Sequence, residues 1–214
     1  DVPSGCTCDA GHSGSITASS TYPYYSGSCS AVACPASSTG DSAAAGCTCD
    51  AGHSGSIRAA STPPFYSGSC NAVACPASST GTSVASGCTC NHGYNGSITA
   101  TGFSPFYSGS CSDVACPASS TGTSVASGCV CDAGHSGTIA ATTSSPFYSG
   151  SCSAVACPAS STGTSVASGC VCDPGHSGSI IAANTPPFFT GSCNSAVCPA
   201  SSTGTSVASG CTCN

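Results

Sequence analysis

The sequence predicts a small disulfide-rich β protein, a linear tandem array of about five 41-residue modules made of short hairpins and turns, with little or no helix. Three observations carry that expectation. A Cys-x-Cys pair returns every 41 residues, at Cys6/Cys8, Cys47/Cys49, Cys88/Cys90, Cys129/Cys131, Cys170/Cys172 and Cys211/Cys213, with two more cysteines between each pair and the next. Self-similarity at a fixed period marks a unit copied along the chain. Cysteine makes up 22 of 214 residues, at an even number per period, which reads as a disulfide framework formed in an oxidising compartment. No window places apolar residues at i, i+3, i+4 and i+7, and glycine and proline punctuate the chain too densely for helix. The period divides the chain into repeats at 6–46, 47–87, 88–128, 129–169 and 170–210, with 1–5 and 211–214 as parts of flanking repeats.

The second repeat shows how one unit is written. Cys47-Thr48-Cys49-Asp50-Ala51-Gly52-His53-Ser54-Gly55 opens it, and its closely spaced glycines predict tight turns with positive φ. Ser56-Ile57-Arg58-Ala59-Ala60 reads as a short strand, and Thr62-Pro63-Pro64 breaks regular structure. Phe65-Tyr66-Ser67-Gly68-Ser69-Cys70 runs from an aromatic pair to the third cysteine. Asn71-Ala72-Val73-Ala74-Cys75 leads to the fourth, and Pro76-Ala77-Ser78-Ser79-Thr80-Gly81 forms a turn-rich connector. The unit owns four sizeable apolar side chains, Ile57, Phe65, Tyr66 and Val73. Burying them yields about 10 kcal/mol, too little to order such a unit alone. Disulfides and contacts between neighbouring units must add to it.

Four cysteines per unit allow three pairings within a unit, and more across the boundary. Bonding within Cys-x-Cys is disfavoured by strain. The leading pairing is Cys8–Cys29 and Cys34–Cys47, repeated as Cys49–Cys70, Cys75–Cys88, Cys90–Cys111, Cys116–Cys129, Cys131–Cys152, Cys157–Cys170, Cys172–Cys193 and Cys198–Cys211. It ties each unit to the next and leaves Cys6 and Cys213 without partners in the chain. The alternative joins Cys6 to Cys29 and Cys8 to Cys34, closed within each unit.

Charge is scarce. Charged residues are 4% of the chain, Arg58 is the only basic one and all seven acids are aspartate. A nucleic-acid partner needs a lysine and arginine footprint that this chain does not carry. Serine and threonine fill the gap, with 47 Ser and 23 Thr. They offer hydroxyls for O-linked sugar, which would supply the solubility that charge does not. The O-glycosylation candidates are Ser37, Ser38, Thr39, Thr62, Ser104, Ser145 and Thr185. Asn95-Gly96-Ser97 makes Asn95 the N-glycosylation candidate. No apolar run reaches the ~20 residues of a membrane span. Methionine is absent and both ends match the interior of a period, so the reading is a window on a longer array or a mature fragment of one.

Cys90-Asn91-His92-Gly93-Tyr94-Asn95-Gly96 resembles the C-terminal half of an epidermal-growth-factor-like module; in the other units His12, His53, His135 and His176 hold the aromatic place. The whole period is similar to the tandem cysteine-rich repeats of secreted or surface proteins of microalgae and other protists, including mastigoneme-like fibre proteins. The resemblance implies an extracellular structural repeat. The third cysteine follows Cys8 by 21 residues, later than in a growth-factor module, so that family's disulfide pattern is not carried over. The acidic cluster of its calcium-binding subtype is also missing, and no calcium site is carried over.

Asp9, His12 and Ser13, like Asp50, His53 and Ser54, resemble pieces of a hydrolase triad. Residues three apart on a glycine-rich loop do not converge as a triad must, and the third unit replaces the acid by Asn91 and the histidine by Tyr94. Neither catalysis, a cofactor nor a metal site is expected. The pairs Tyr24-Tyr25, Phe65-Tyr66, Phe106-Tyr107, Phe147-Tyr148 and Phe188-Phe189 recur once per unit and are read as packing aromatics. One ring of each pair would cover the disulfides and the other fill the contact with the next unit. The function expected is that of a structural subunit of an extracellular fibre, filament or surface coat, self-associating and O-glycosylated. The alternative is an adhesin or receptor stalk that binds glycans through the repeated aromatic ladder.

Overall fold

The computed structural model describes residues 5–214. It is a disulfide-rich β tandem array of about five modules. Among the described residues there is no helix, and hence none long and apolar enough to cross a membrane. Each period contributes one long hairpin and one short ladder. In the first period β1 (His12–Ala18) pairs antiparallel with β2 (Tyr25–Ala31), from His12 opposite Ala31 to Ala18 opposite Tyr25. Next, β3 (Ser38–Thr39) pairs with β4 (Thr48–Cys49), just past the end of the repeat. The long hairpin returns as β5 (His53–Ala59) with β6 (Tyr66–Ala72), then as Tyr94–Ala100 with Tyr107–Asp113, His135–Ala141 with Tyr148–Ala154, and His176–Ala182 with Phe189–Ser195.

Side chains alternate across a strand, so register sorts each hairpin into two faces. In β1 and β2 one face pairs Ser13 with Ser30, Ser15 with Ser28 and Thr17 with Ser26. Its outer rung is closed by a 2.8 Å hydrogen bond between the Thr17 and Ser26 hydroxyls. The other face pairs Gly14 with Cys29 and Ile16 with Gly27. Cys29 and Ile16 are half-buried there, whereas the hydroxyl face is exposed apart from Ser13. In the second period the strand starts at His53, three residues before the expected Ser56, and ends at Ala59. The reason is Gly55, read as a turn residue. It keeps a positive φ of 132° but lies within the strand, where a Cβ would sit 2.0 Å from the Ser69 carbonyl oxygen. Only glycine lets the two strands approach so closely.

Contacts group the chain into two compact units, one running to Asn91 with Gly96–Cys111 added, the other made of His92–Asn95 and Ser112–Asn214. Each has a core of a few small side chains. The first buries Ala43, Ile57 and Val84; the second buries Val125 and Val166. The serines preceding the core alanine and valines, Ser42, Ser83, Ser124 and Ser165, are buried as well. Their hydroxyls are satisfied locally, as buried polar groups must be. The Ser83 Oγ accepts from the Ser86 N–H at 3.2 Å and bonds the Ser86 hydroxyl at 3.0 Å. Backbone bonds tie this turn inward, Val84 N–H to the Val73 carbonyl (2.8 Å) and Val73 N–H to the Gly52 carbonyl (2.9 Å).

Ten disulfides staple this thin core. The cysteines join as Cys8–Cys29, Cys49–Cys70, Cys90–Cys111, Cys131–Cys152 and Cys172–Cys193, each spanning 21 residues. Cys34–Cys47, Cys75–Cys88, Cys116–Cys129, Cys157–Cys170 and Cys198–Cys211 each span 13. This is the leading connectivity from the sequence; the alternative that joins Cys6 to Cys29 is not the one formed. Cys6 and Cys213 are free, and Cys6 forms a backbone bridge with Ile16. The 13-residue bonds cross from one period into the next, so neighbours are linked by sulfur as well as by backbone. Ten disulfides suggest an oxidising, extracellular or secreted environment.

Loop-closure entropy assigns each disulfide about 3 kcal/mol, against about 1.5–3 kcal/mol for one fully buried valine. A Cys75→Ser/Cys88→Ser double variant is therefore expected to lose about 3 kcal/mol of unfolding free energy. Val84→Ala should cost no more. Urea titration followed by circular dichroism checks the order; a Val84→Ala cost well above that of the double variant would reverse it.

Candidate inter-repeat contact

The residues that join one repeat to the next are built from a turn and a hairpin tip. The turn follows the Cys-x-Cys pair, where the His12 N–H bonds the Asp9 carbonyl at 3.0 Å around the buried Gly11. The tip lies between β5 and β6. There the Phe65 N–H bonds the Thr62 carbonyl (2.7 Å) and the Ala60 N–H bonds the Phe65 carbonyl (3.0 Å). The Pro63–Pro64 bond is cis and Phe65 has φ 68°. A cis proline at the third position of a four-residue turn defines a type VI turn.

The tip meets the turn of the repeat before it. The Gly11 N–H donates to the Ala60 carbonyl at 3.0 Å, Gly52 to Thr101 at 3.0 Å, Gly93 to Thr142 at 3.0 Å and Gly134 to Ala183 at 3.1 Å. The same glycine accepts from its own repeat through its carbonyl, from Val32 onto Gly11 (2.9 Å) and from Val114 onto Gly93 (3.1 Å). Its third side faces an alanine. A Cβ on Gly93, at φ 79°, would lie 2.7 Å from the Ala126 nitrogen. A side chain at this position would clash with Ala126 and carry a left-handed backbone cost.

Exposure shows what the neighbour covers. Phe65, Phe106, Phe147 and Phe188, each next to a tip, are half-buried, as are Tyr66, Tyr107, Tyr148 and Phe189. In the first hairpin, whose tip meets no preceding repeat among the described residues, Tyr24 is 62% and Tyr25 44% exposed. At the opposite end Val207 is 44% exposed, whereas the equivalent Val84 is 4% exposed with a hairpin following it. Much of the burial in each repeat is thus supplied from outside it. Four of the five aromatic pairs sit beside a tip whose backbone bonds the preceding repeat.

The glycosylation candidates fall into two groups. Ser38 Oγ donates to the Pro35 carbonyl at 2.6 Å and is half-buried, and Thr39 Oγ1 donates to the Asp50 carboxylate at 2.5 Å. Ser37, half-buried with φ 61°, lies in the same turn. Thr62, Ser104, Ser145 and Thr185 are exposed in the hairpin tips, and Asn95 is exposed in the strand Tyr94–Ala100. The triad-like residues do not converge. Asp50 accepts from Thr39, while the His53 ring nitrogen Nδ1 lies 3.4 Å from the Ala51 carbonyl oxygen. Nδ1 of His12, His135 and His176 is buried without a hydrogen-bond partner. Among the described residues no group of three His, Cys, Asp or Glu side chains is placed to hold a metal ion.

Sequence reasoning missed the glycine contact. Its signal was a glycine at the same place in every period, Gly11, Gly52, Gly93, Gly134 and Gly175, matched by an alanine 33 residues on. No protein-family model matches the chain, and neither a curated protein nor a solved structure matches it.

Gly93→Ala is expected to destabilise by more than the ~1 kcal/mol of an incompatible backbone alone, because the Ala126 backbone blocks the added methyl. Gly87→Ala, at φ 99° with nothing within 4 Å of its Cβ, isolates the backbone cost. Urea unfolding together with amide exchange at position 93 separates the two. Equal losses, with the amide at 93 still protected, would remove the steric part of this account.

Proposed function

We propose that the chain is a structural subunit of an extracellular fibre, filament or surface coat, stapled by disulfides and O-glycosylated. One observation carries the reading: the same contact, a turn glycine donating to the carbonyl of the following hairpin tip, joins four successive pairs of repeats. A contact that accepts the same unit each time, reinforced by a disulfide across every boundary, adds length without changing chemistry. The fold is compatible with such a role. The likeness of Cys90-Asn91-His92-Gly93-Tyr94-Asn95-Gly96 to growth-factor-like modules, and of the period to algal and protist surface repeats, fits the same reading.

Glycosylation rests on surface chemistry. With charged residues at 4%, solubility falls to serine and threonine, and the exposed tip residues Thr62, Ser104, Ser145 and Thr185 have accessible hydroxyls. Ser38 and Thr39 are weaker candidates, since their hydroxyls are engaged in the fold. The adhesin alternative draws less support, because eight of the ten paired aromatics are half-buried.

Electron microscopy of the native material and intact-mass measurement before and after deglycosylation test the proposal. Filaments or sheets, and a mass that falls on deglycosylation, are expected. A short monomer that binds sugars on a glycan array would favour the adhesin, and an unchanged mass would remove the sugar.

A further inference from the structure

The cross-link pattern points to a second property: we infer that each repeat carries tension along a path that bypasses its hairpin and its connector, so that the chain resists stretching while its disulfides are intact. The path follows from connectivity. From Cys8 it crosses the disulfide to Cys29, follows the backbone to Cys34, crosses the second disulfide to Cys47 and reaches Cys49, where the next period begins. Only the five links from Cys29 to Cys34 and the two from Cys47 to Cys49 lie on it. The loops of 21 and 13 residues closed by the disulfides lie off it.

That connectivity sets a ceiling on length. The disulfides span 5.4–5.8 Å between Cα atoms. With seven backbone links at about 3.5 Å each, a fully pulled period reaches about 36 Å, against about 145 Å for the same period with its disulfides reduced. Over the five periods from Cys8 to Cys213 the limits are about 180 Å and about 720 Å. The alternative pairing, Cys6 with Cys29 and Cys8 with Cys34, would leave fifteen links and one disulfide per period, and a limit of about 290 Å over five periods.

The hairpins lie almost entirely in the bypassed loops. The hydroxyl faces, such as Ser13, Ser15 and Thr17 opposite Ser30, Ser28 and Ser26, are therefore anchored outside the stretch that straightens, save for the last residues of the second strand. Apart from Ser30, that face is separated from the segment that takes the pull. The inference draws on the proposed structural role only for the source of the tension; the ceiling itself is a property of a single chain.

Single-molecule force spectroscopy of the 214-residue chain, held by handles at its two ends, tests this. Without reductant the distance between Cys8 and Cys213 should stop at about 180 Å, and dithiothreitol should lengthen it about fourfold. A Cys75→Ser/Cys88→Ser variant should gain about 40 Å in one step without reductant, by releasing a single 13-residue loop. An unreduced chain that extends to about 290 Å or beyond overturns the path, as does a length unaffected by reductant. Either result would leave filament formation to be judged by microscopy, and an absence of filaments would leave the ceiling in place.

Discussion

Sulfur cross-links are the constraint on which the rest of this structure depends. A repeat that buries one valine-sized side chain in a turn, and leaves most of its strands exposed, cannot hold its shape by the hydrophobic effect. The disulfides shrink the unfolded ensemble instead, and they do so at two scales. Cys49–Cys70 ties the short β4 strand to the second strand of the hairpin, and Cys75–Cys88 closes the connector and reaches into the next period. Once both are closed, small residues suffice to fill the space between them. This is why alanine, serine and glycine occupy positions that a larger domain would give to leucine and phenylalanine.

Cross-linking alone would give beads on a string. The turn glycine makes the beads dock. Gly52 is bonded by its N–H to the following hairpin tip and by its carbonyl to its own Val73, and Ala85 closes its third side. Each repeat therefore finishes its neighbour's surface, as in other repeat proteins where stability is shared between units and interfaces. The exposure of Tyr24 and Val207, against the burial of their interior counterparts, measures that debt at the two places where no neighbour lies among the described residues.

Much of this was legible in the sequence. The period follows from cysteine spacing, the absence of helix from the dense glycine and proline, and the pairing of Cys8 with Cys29 and of Cys34 with Cys47 is the favoured one of two that the spacing leaves open. Glycine spacing marks the turns, but it does not show that Gly55 lies inside its strand. Positive φ is a local signal, and whether it bends the chain or merely allows close approach depends on the partner strand, Ser69 here. The docking of Gly52 on Thr101 shows in the sequence only as the recurring glycine and the alanine 33 residues on, since the bond itself joins two backbone groups.

Amide hydrogen exchange of the native chain, before and after complete reduction and alkylation, tests the central claim most directly. If sulfur rather than apolar burial holds each repeat, protection in the hairpins His53–Ala59/Tyr66–Ala72 and His135–Ala141/Tyr148–Ala154 will disappear on reduction. Hairpins that stay protected with every cysteine capped would contradict the account.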